Sequence, residues 1–168
     1  MQLFEDALFS SDFADPEKGY RPYVDSLTLA SWYISTELTG NVDGFWSTYM
    51  YKKKDDQKFY WGPLWDYDIA FNNCNRVGDV SESLMINKGF GGDLTQKWYY
   101  KCGRSWFVQL INRTWKEYLA RGIEEHVMDY IDSMSVVIDR SQAMNFQKWP
   151  IDRRDYNEIV LFSTYQEG

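Results

Sequence analysis

Apolar residues return at helical spacing along Val24 to Leu38, where Leu27, Ala30, Ile34 and Leu38 share one face, with Asp25 or Ser26 as N-cap and Gly40 as the stop. The last third repeats this period twice. Trp106, Phe107, Leu110, Ile111, Thr114 and Tyr118 form one stripe ending before Gly122, and Ile123, Val127, Ile131, Met134 and Ile138 form another, closed by Trp149-Pro150. Near the start, Leu3, Ala7 and Leu8 predict a short helix before the loop segment SSDFADPEKGYRP.

Between these helices the pattern changes. TGNVDGF is turn chemistry and feeds FWSTYMYKKK, whose β-branched and aromatic residues favour a strand. KDDQ reverses the chain and KFYWGPLW returns, so Phe45 to Trp65 predicts a hairpin with its loop at Lys54 to Gln57. Pro63 belongs at an edge or a strand end. Asn72 to Thr95 is rich in Asn, Gly, Ser and Asp, with SLMI as its apolar island, and predicts a long loop with one turn of helix. The expected fold class is α+β, a mainly helical lobe with a small antiparallel β-hairpin. Its 168 residues suit a single domain, 1–168. A start that enters a helix directly and a tail, Ile151 to Gly168, without a clear cap read as a segment of a longer protein.

Composition narrows the functions. A net charge of −7 repels phosphate backbones, which argues against nucleic acid as a partner. No apolar run reaches the roughly 18 to 20 residues of a membrane-spanning helix, and Met1 to Ser10 lacks the basic start and apolar stretch of a signal peptide. The 8 Trp, 13 Tyr and 10 Phe predict aromatic packing that holds the hairpin against the helices. Cys74, Cys102 and His126 are too few for a structural zinc site, which wants four such ligands. The two cysteines are compatible with one disulfide or with two buried thiols. His126 lies on the polar side of its helix, and no Gly-x-Ser-x-Gly elbow accompanies it.

Candidate chemistry gathers at the hairpin, which returns its two ends to neighbouring positions. Asp43 precedes the first strand and Asp66 and Asp68, in WDYD, follow the second, so three carboxylates are expected to converge. Like charges so placed are tolerated mainly when a divalent cation, a basic side chain or a bound proton offsets them, and hard oxygen ligands of this kind suit Mg²⁺ or Mn²⁺. Taken singly, Asp43 reads as a turn residue and Asp66 as a cap. Set among Leu64, Trp65, Ile69, Ala70 and Phe71, however, the acids of WDYD are expensive unless paired or coordinating. GFGGD at Gly89 to Asp93 follows no strand and reads as a loop rather than a phosphate cradle, and Lys52, Lys53 and Lys54 as solubilising residues near the hairpin turn.

ELTGNVDGFWSTYMYK followed by KFYWGPLWDYDIAFNN resembles the core signature of the CotH kinase family, bacterial spore-coat protein H and its relatives, which have an atypical protein-kinase fold. FEDALFSSDFADPEKGY and SQAMNFQKWPI resemble further segments of its bacterial members. The resemblance implies the carboxy-terminal lobe of such a kinase. It implies Mg²⁺- and ATP-dependent phosphoryl transfer to serine or threonine of a protein substrate, with Asp43 as the catalytic-loop aspartate, Asp66 as metal ligand and Asp68 in support. The kinase pattern places a metal-binding Asn five residues after the catalytic Asp, and Thr48 stands there instead, so Thr48 itself, Asn72 and Asn73 are the auxiliary candidates for metal or nucleotide contact. A Gly-rich nucleotide-covering loop is not found in these residues, which implies contact with the nucleotide through an upstream lobe and no activity of the segment alone. By the same resemblance the protein acts at the bacterial surface or spore coat. The alternatives are a catalytically impaired pseudokinase or surface scaffold and, on the two carboxylates beside Trp61, Trp65 and Tyr67, a carbohydrate-processing enzyme.

Overall fold

The computed structural model describes residues 2–74, 76–89, 92–96, 98 and 106–150. Its elements are α1 (Gln2–Phe9), α2 (Ser26–Thr39), β1 (Met50–Lys52), β2 (Phe59–Trp61), α3 (Gly92–Gln96), α4 (Trp106–Ala120) and α5 (Ile123–Lys148), with 3₁₀ turns at Arg21–Tyr23, Val42–Phe45 and Met85–Lys88. The expected mainly helical α+β lobe with one small antiparallel hairpin is what forms. Cys102 and the tail from Ile151 lie outside the described residues, and with them the question of a disulfide to Cys74, which is buried.

Helix α2 is the spine. Asp25 caps it, its Oδ1 accepting from the Thr28 N–H at 3.0 Å. At the other end Gly40 takes φ 63°, and the N–H groups of Gly40 and Asn41 donate to the carbonyls of Glu37 and Thr36, the paired bonds of a Schellman stop. The buried positions are Leu29, Ala30, Trp32, Tyr33, Ile34, Thr36 and Glu37. Two of the four residues expected on the core face, Leu27 and Leu38, are instead 60% and 50% exposed. The reason is that α2 is covered from more than one side, by β2 and the Val42–Phe45 turn as well as by α4, so burial is not a single stripe. In α1 the same kind of shift puts Phe4 inside with Ala7 and Leu8 while Leu3 is exposed.

The hairpin is shorter than Phe45 to Trp65. Met50, Tyr51 and Lys52 pair with Trp61, Tyr60 and Phe59. Phe45 belongs to the preceding 3₁₀ turn, buried against Trp32 and Tyr33 of α2 with ring centroids 5.7 and 6.1 Å apart. β2 ends at Trp61, because Gly62 leaves the extended region at φ 135° and Pro63 has no N–H to donate. The hairpin is tied to α2 by the Asp25 N–H donating to Phe59 O (2.9 Å) and the Trp61 N–H to Thr28 Oγ1 (3.2 Å). Aromatic packing completes the attachment as expected: Phe4 lies against Phe59 at 5.1 Å, and Trp98 contacts both Trp61 and Phe107, at 5.7 and 5.6 Å.

Helix α4 presents Phe107, Leu110 and Thr114 to the core, in line with its periodicity, and Tyr33 meets Phe107 edge-to-face at 5.2 Å. The stripe expected on α5 does not enter a core. None of its residues is buried, and Ile131 and Ile138 are 42% and 43% exposed, because among the described residues its sustained contacts are with α4. His126 lies exposed on this helix, as expected from its polar face.

Gly40 carries a testable consequence. A Cβ there would sit 2.3 Å from Val80 Cγ2, and the left-handed backbone itself costs a non-glycine residue about 1 to 2 kcal/mol. Gly40→Ala should therefore lower stability by at least that amount in urea unfolding. An unchanged midpoint would show that neither the left-handed backbone nor the close approach of Val80 holds at this position.

Candidate active site at the mouth of the hairpin

Asp43 is the second residue of the 3₁₀ turn that follows the stop of α2. Its neighbours Val42 and Phe45 are buried, which holds the turn down and leaves Asp43 at the surface. Gly44 permits this approach: a Cβ would lie 2.8 Å from Thr36 Cγ2. The Asp43 carbonyl accepts from the N–H groups of Trp46 and Ser47 at 2.9 and 2.8 Å. Its carboxylate Oδ1 meets Arg76 Nη1 at 2.9 Å, with both side chains a little over two-fifths exposed.

Asp66 takes φ 55°, a left-handed conformation that aspartate and asparagine tolerate better than most residues. Asn41, fully buried, donates from Nδ2 to the Asp66 carbonyl at 3.1 Å, so the turn bearing Asp43 and the segment bearing Asp66 are joined by one side chain. The Asp66 carboxyl is pushed above the usual aspartate value. The negative charge of Asp68 is the largest cause, followed by partial desolvation, the hydrogen bond with Asp68 and the charge of Asp43. The three carboxylates thus share one field, but not one ligand shell. Among the described residues no group of three or more His, Cys, Asp or Glu is close enough to hold a metal ion. The near pair is Asp66 with Asp68, and Asp43 stands apart on Arg76.

Such a pair fits Mg²⁺, which usually takes one or two carboxylates and completes its shell with water and phosphate oxygens rather than with an all-protein cage. The apolar flanks of WDYD do not bury the acids. Leu64, Trp65 and Phe71 are each more than half exposed, because this segment is irregular and runs along the surface after β2. Repulsion between carboxylates, rather than burial in an apolar run, is what makes Asp66 unusual.

The auxiliary candidates are engaged elsewhere. Thr48 Oγ1 donates to Gly44 O at 2.8 Å. Asn72 Nδ2 donates to Asp79 Oδ1 and its Oδ1 accepts from the Val80 N–H, both at 2.9 Å, so both ends of this amide brace the loop. Asn73 Nδ2 donates to the Asp68 carbonyl at 2.7 Å and so supports the backbone of the acidic segment. Lys52, Lys53 and Lys54 are exposed around the hairpin turn, with Lys53 Nζ 4.0 Å from the Tyr60 ring centroid. Gly92 of the GFGGD segment opens the five-residue α3.

Three residues that matter here were not among the candidates, although Glu37 and Asn41 fall within the segment ELTGNVDGFWSTYMYK. Arg76 and Asn41 sit in stretches whose composition signals only turns. Glu37 lies on α2 where helical spacing offers no reason to single it out, yet it is 7% exposed, and its two carboxylate oxygens accept from the N–H groups of Met85 and Ile86 at 2.7 and 3.1 Å. Burial raises its proton affinity against these hydrogen bonds, which act in the opposite sense. Glu37 also lines a cavity of about 230 Å³ between α2 and α4, with Tyr33, Ile34, Leu84, Ile111 and Trp115.

Residues 1–162 match the family model described as CotH kinase protein. No curated protein and no solved structure matches the chain. Among the described residues no helix is long and apolar enough to cross a membrane.

Proposed function

Because the chain belongs to the CotH kinase protein family, we propose that it carries the acidic half of a phosphotransfer site, transferring the terminal phosphoryl group of ATP, as its Mg²⁺ or Mn²⁺ complex, to serine or threonine hydroxyls of a protein. The observation that carries this reading is the pairing of Asp66 with Asp68 at a surface mouth, where the charge of Asp68, with a smaller part from Asp43, raises the Asp66 carboxyl and a divalent cation would relieve it. Asp66 and Asp68 hold the cation, and Asp43 orients the substrate hydroxyl and accepts its proton. The hydroxyl oxygen gains the bond to phosphorus, the bond to the departing ADP oxygen breaks, and the proton passes to Asp43. When bound, Mg²⁺ neutralises phosphate charge and so lowers the barrier to this transfer. Remaining nucleotide contacts are assigned to a lobe outside these residues, and the 168 residues alone are expected to be inactive.

The second reading, an impaired kinase or surface scaffold, draws on Thr48, whose hydroxyl already donates to Gly44 O and which is a poorer ligand than an asparagine carbonyl. One experiment separates the two. Label transfer from [γ-³²P]ATP to protein should be seen with the intact protein, stop in EDTA and stop in Asp43→Asn. A scaffold would leave no label to lose, and a carbohydrate-processing enzyme would release sugar in EDTA.

A further inference from the structure

Arg76 is the cation that the fold delivers to the acidic mouth, through its 2.9 Å contact with Asp43. The loop that carries it is built on α2 at both ends. At the near end, the Phe71 N–H donates to Thr39 O at 2.6 Å. At the far end, Glu37 holds the N–H groups of Met85 and Ile86. In between, Asn72 braces Asp79 and Val80, and Lys88 Nζ donates to the carbonyls of Val77 (3.1 Å) and Asp79. Asp79, bonded by Ser81 and Asn72, has its carboxyl pulled down to about 2. Arg76 therefore leaves a braced loop, and the helix bracing it leads directly into Asp43.

Charge decides what such an arginine can do. Three carboxylates against one guanidinium leave two net negative charges, which one divalent cation cancels. An incoming polyphosphate therefore competes with Asp43 for the guanidinium, whose planar fork of several donors suits phosphate oxygens. Arg76 is 43% exposed, so its fork is accessible to a second acceptor.

We propose that Arg76 is the phosphate-contacting residue of this site: it pairs with Asp43 while the site is empty and turns to the oxygens of a metal-bound polyphosphate, releasing Asp43 for the substrate hydroxyl. The inference rests on the phosphotransfer reading above. Isothermal titration of the intact protein with tripolyphosphate in Mg²⁺, and with Mg²⁺ alone, tests it. Arg76→Ala should weaken tripolyphosphate at least about tenfold, as expected for a lost charge-assisted bond, and Arg76→Lys should recover part of the loss. Binding of Mg²⁺ alone by Arg76→Ala should be equal or tighter, because the acids lose their counter-charge; weakening of both ligands would mean a merely structural role and overturn the proposal. Wild type and Arg76→Ala binding tripolyphosphate equally would overturn the role of Arg76 and leave the phosphotransfer reading intact. Failure of the wild type to bind it would overturn both.

Discussion

Asp66→Asn should reduce phosphoryl transfer by about a thousandfold, the scale expected when a metal centre worth several kcal/mol of transition-state charge stabilisation is lost, while leaving the metal-free protein at least as stable as the wild type. Both halves come from the same geometry. Asn tolerates φ 55° as well as Asp does, so the backbone is not disturbed. Removing the charge ends the repulsion from Asp68 and Asp43 that raises the carboxyl. The sign for pH follows. A carboxyl whose folded value lies above its unfolded one contributes stability when protonated, and that contribution is lost as pH rises through the raised value. Above that raised value, Asp66 is thus an unfavourable charge that Asn removes. Thermal melts with and without millimolar Mg²⁺ check this: the wild type should gain with metal, and Asp66→Asn should start level or higher and gain little. A lower metal-free melting point in the variant would mean that Asp66 is a structural residue.

Glu37→Ala should cost about 2 to 6 kcal/mol, because it strands the N–H groups of Met85 and Ile86 in a buried place, each worth about 1 to 3 kcal/mol when unsatisfied. For a domain of this size that is a fall in melting temperature of about 4 to 24 °C. Glu37→Gln should fall between, since one amide oxygen can accept but the NH₂ group faces a second donor. Amide hydrogen exchange gives the local reading, with Met85 and Ile86 losing protection first. The carboxyl of Glu37 is raised by burial, so its charged form is the disfavoured one. Its contribution to wild-type stability is complete below the unfolded value and declines as pH rises through the folded one, a slope absent in the variants. Unchanged exchange at Met85 and Ile86 in Glu37→Ala would show that the loop is held by its other contacts.

Helix α2 shows how much of the molecule could be read from residue order alone. Asp25 and Gly40 announce its ends because capping is local, a matter of one side chain or one backbone angle within a few residues. The hairpin, its approximate turn and the stripe of α4 were legible for the same reason. Which face of α2 is buried was not, because β2, a turn and α4 all cover it, and Leu27 and Leu38 obey the helical period yet remain outside. The stripe of α5 keeps its period as well, and among the described residues it rests mainly on α4.

For the site, the local sequence determined which acids stand at the two ends of the hairpin: Asp43 in a turn after a helix stop, Asp66 and Asp68 after a strand that Gly62 and Pro63 end. Only the tertiary structure decided how those acids are arranged, with Asp66 on Asp68 and Asp43 drawn to Arg76, 33 positions away, through a loop pinned by Glu37 from 48 and 49 positions away. A carboxylate's neighbours in space set its charge state and its partner, and Coulomb interactions over a few ångströms take no account of distance along the chain.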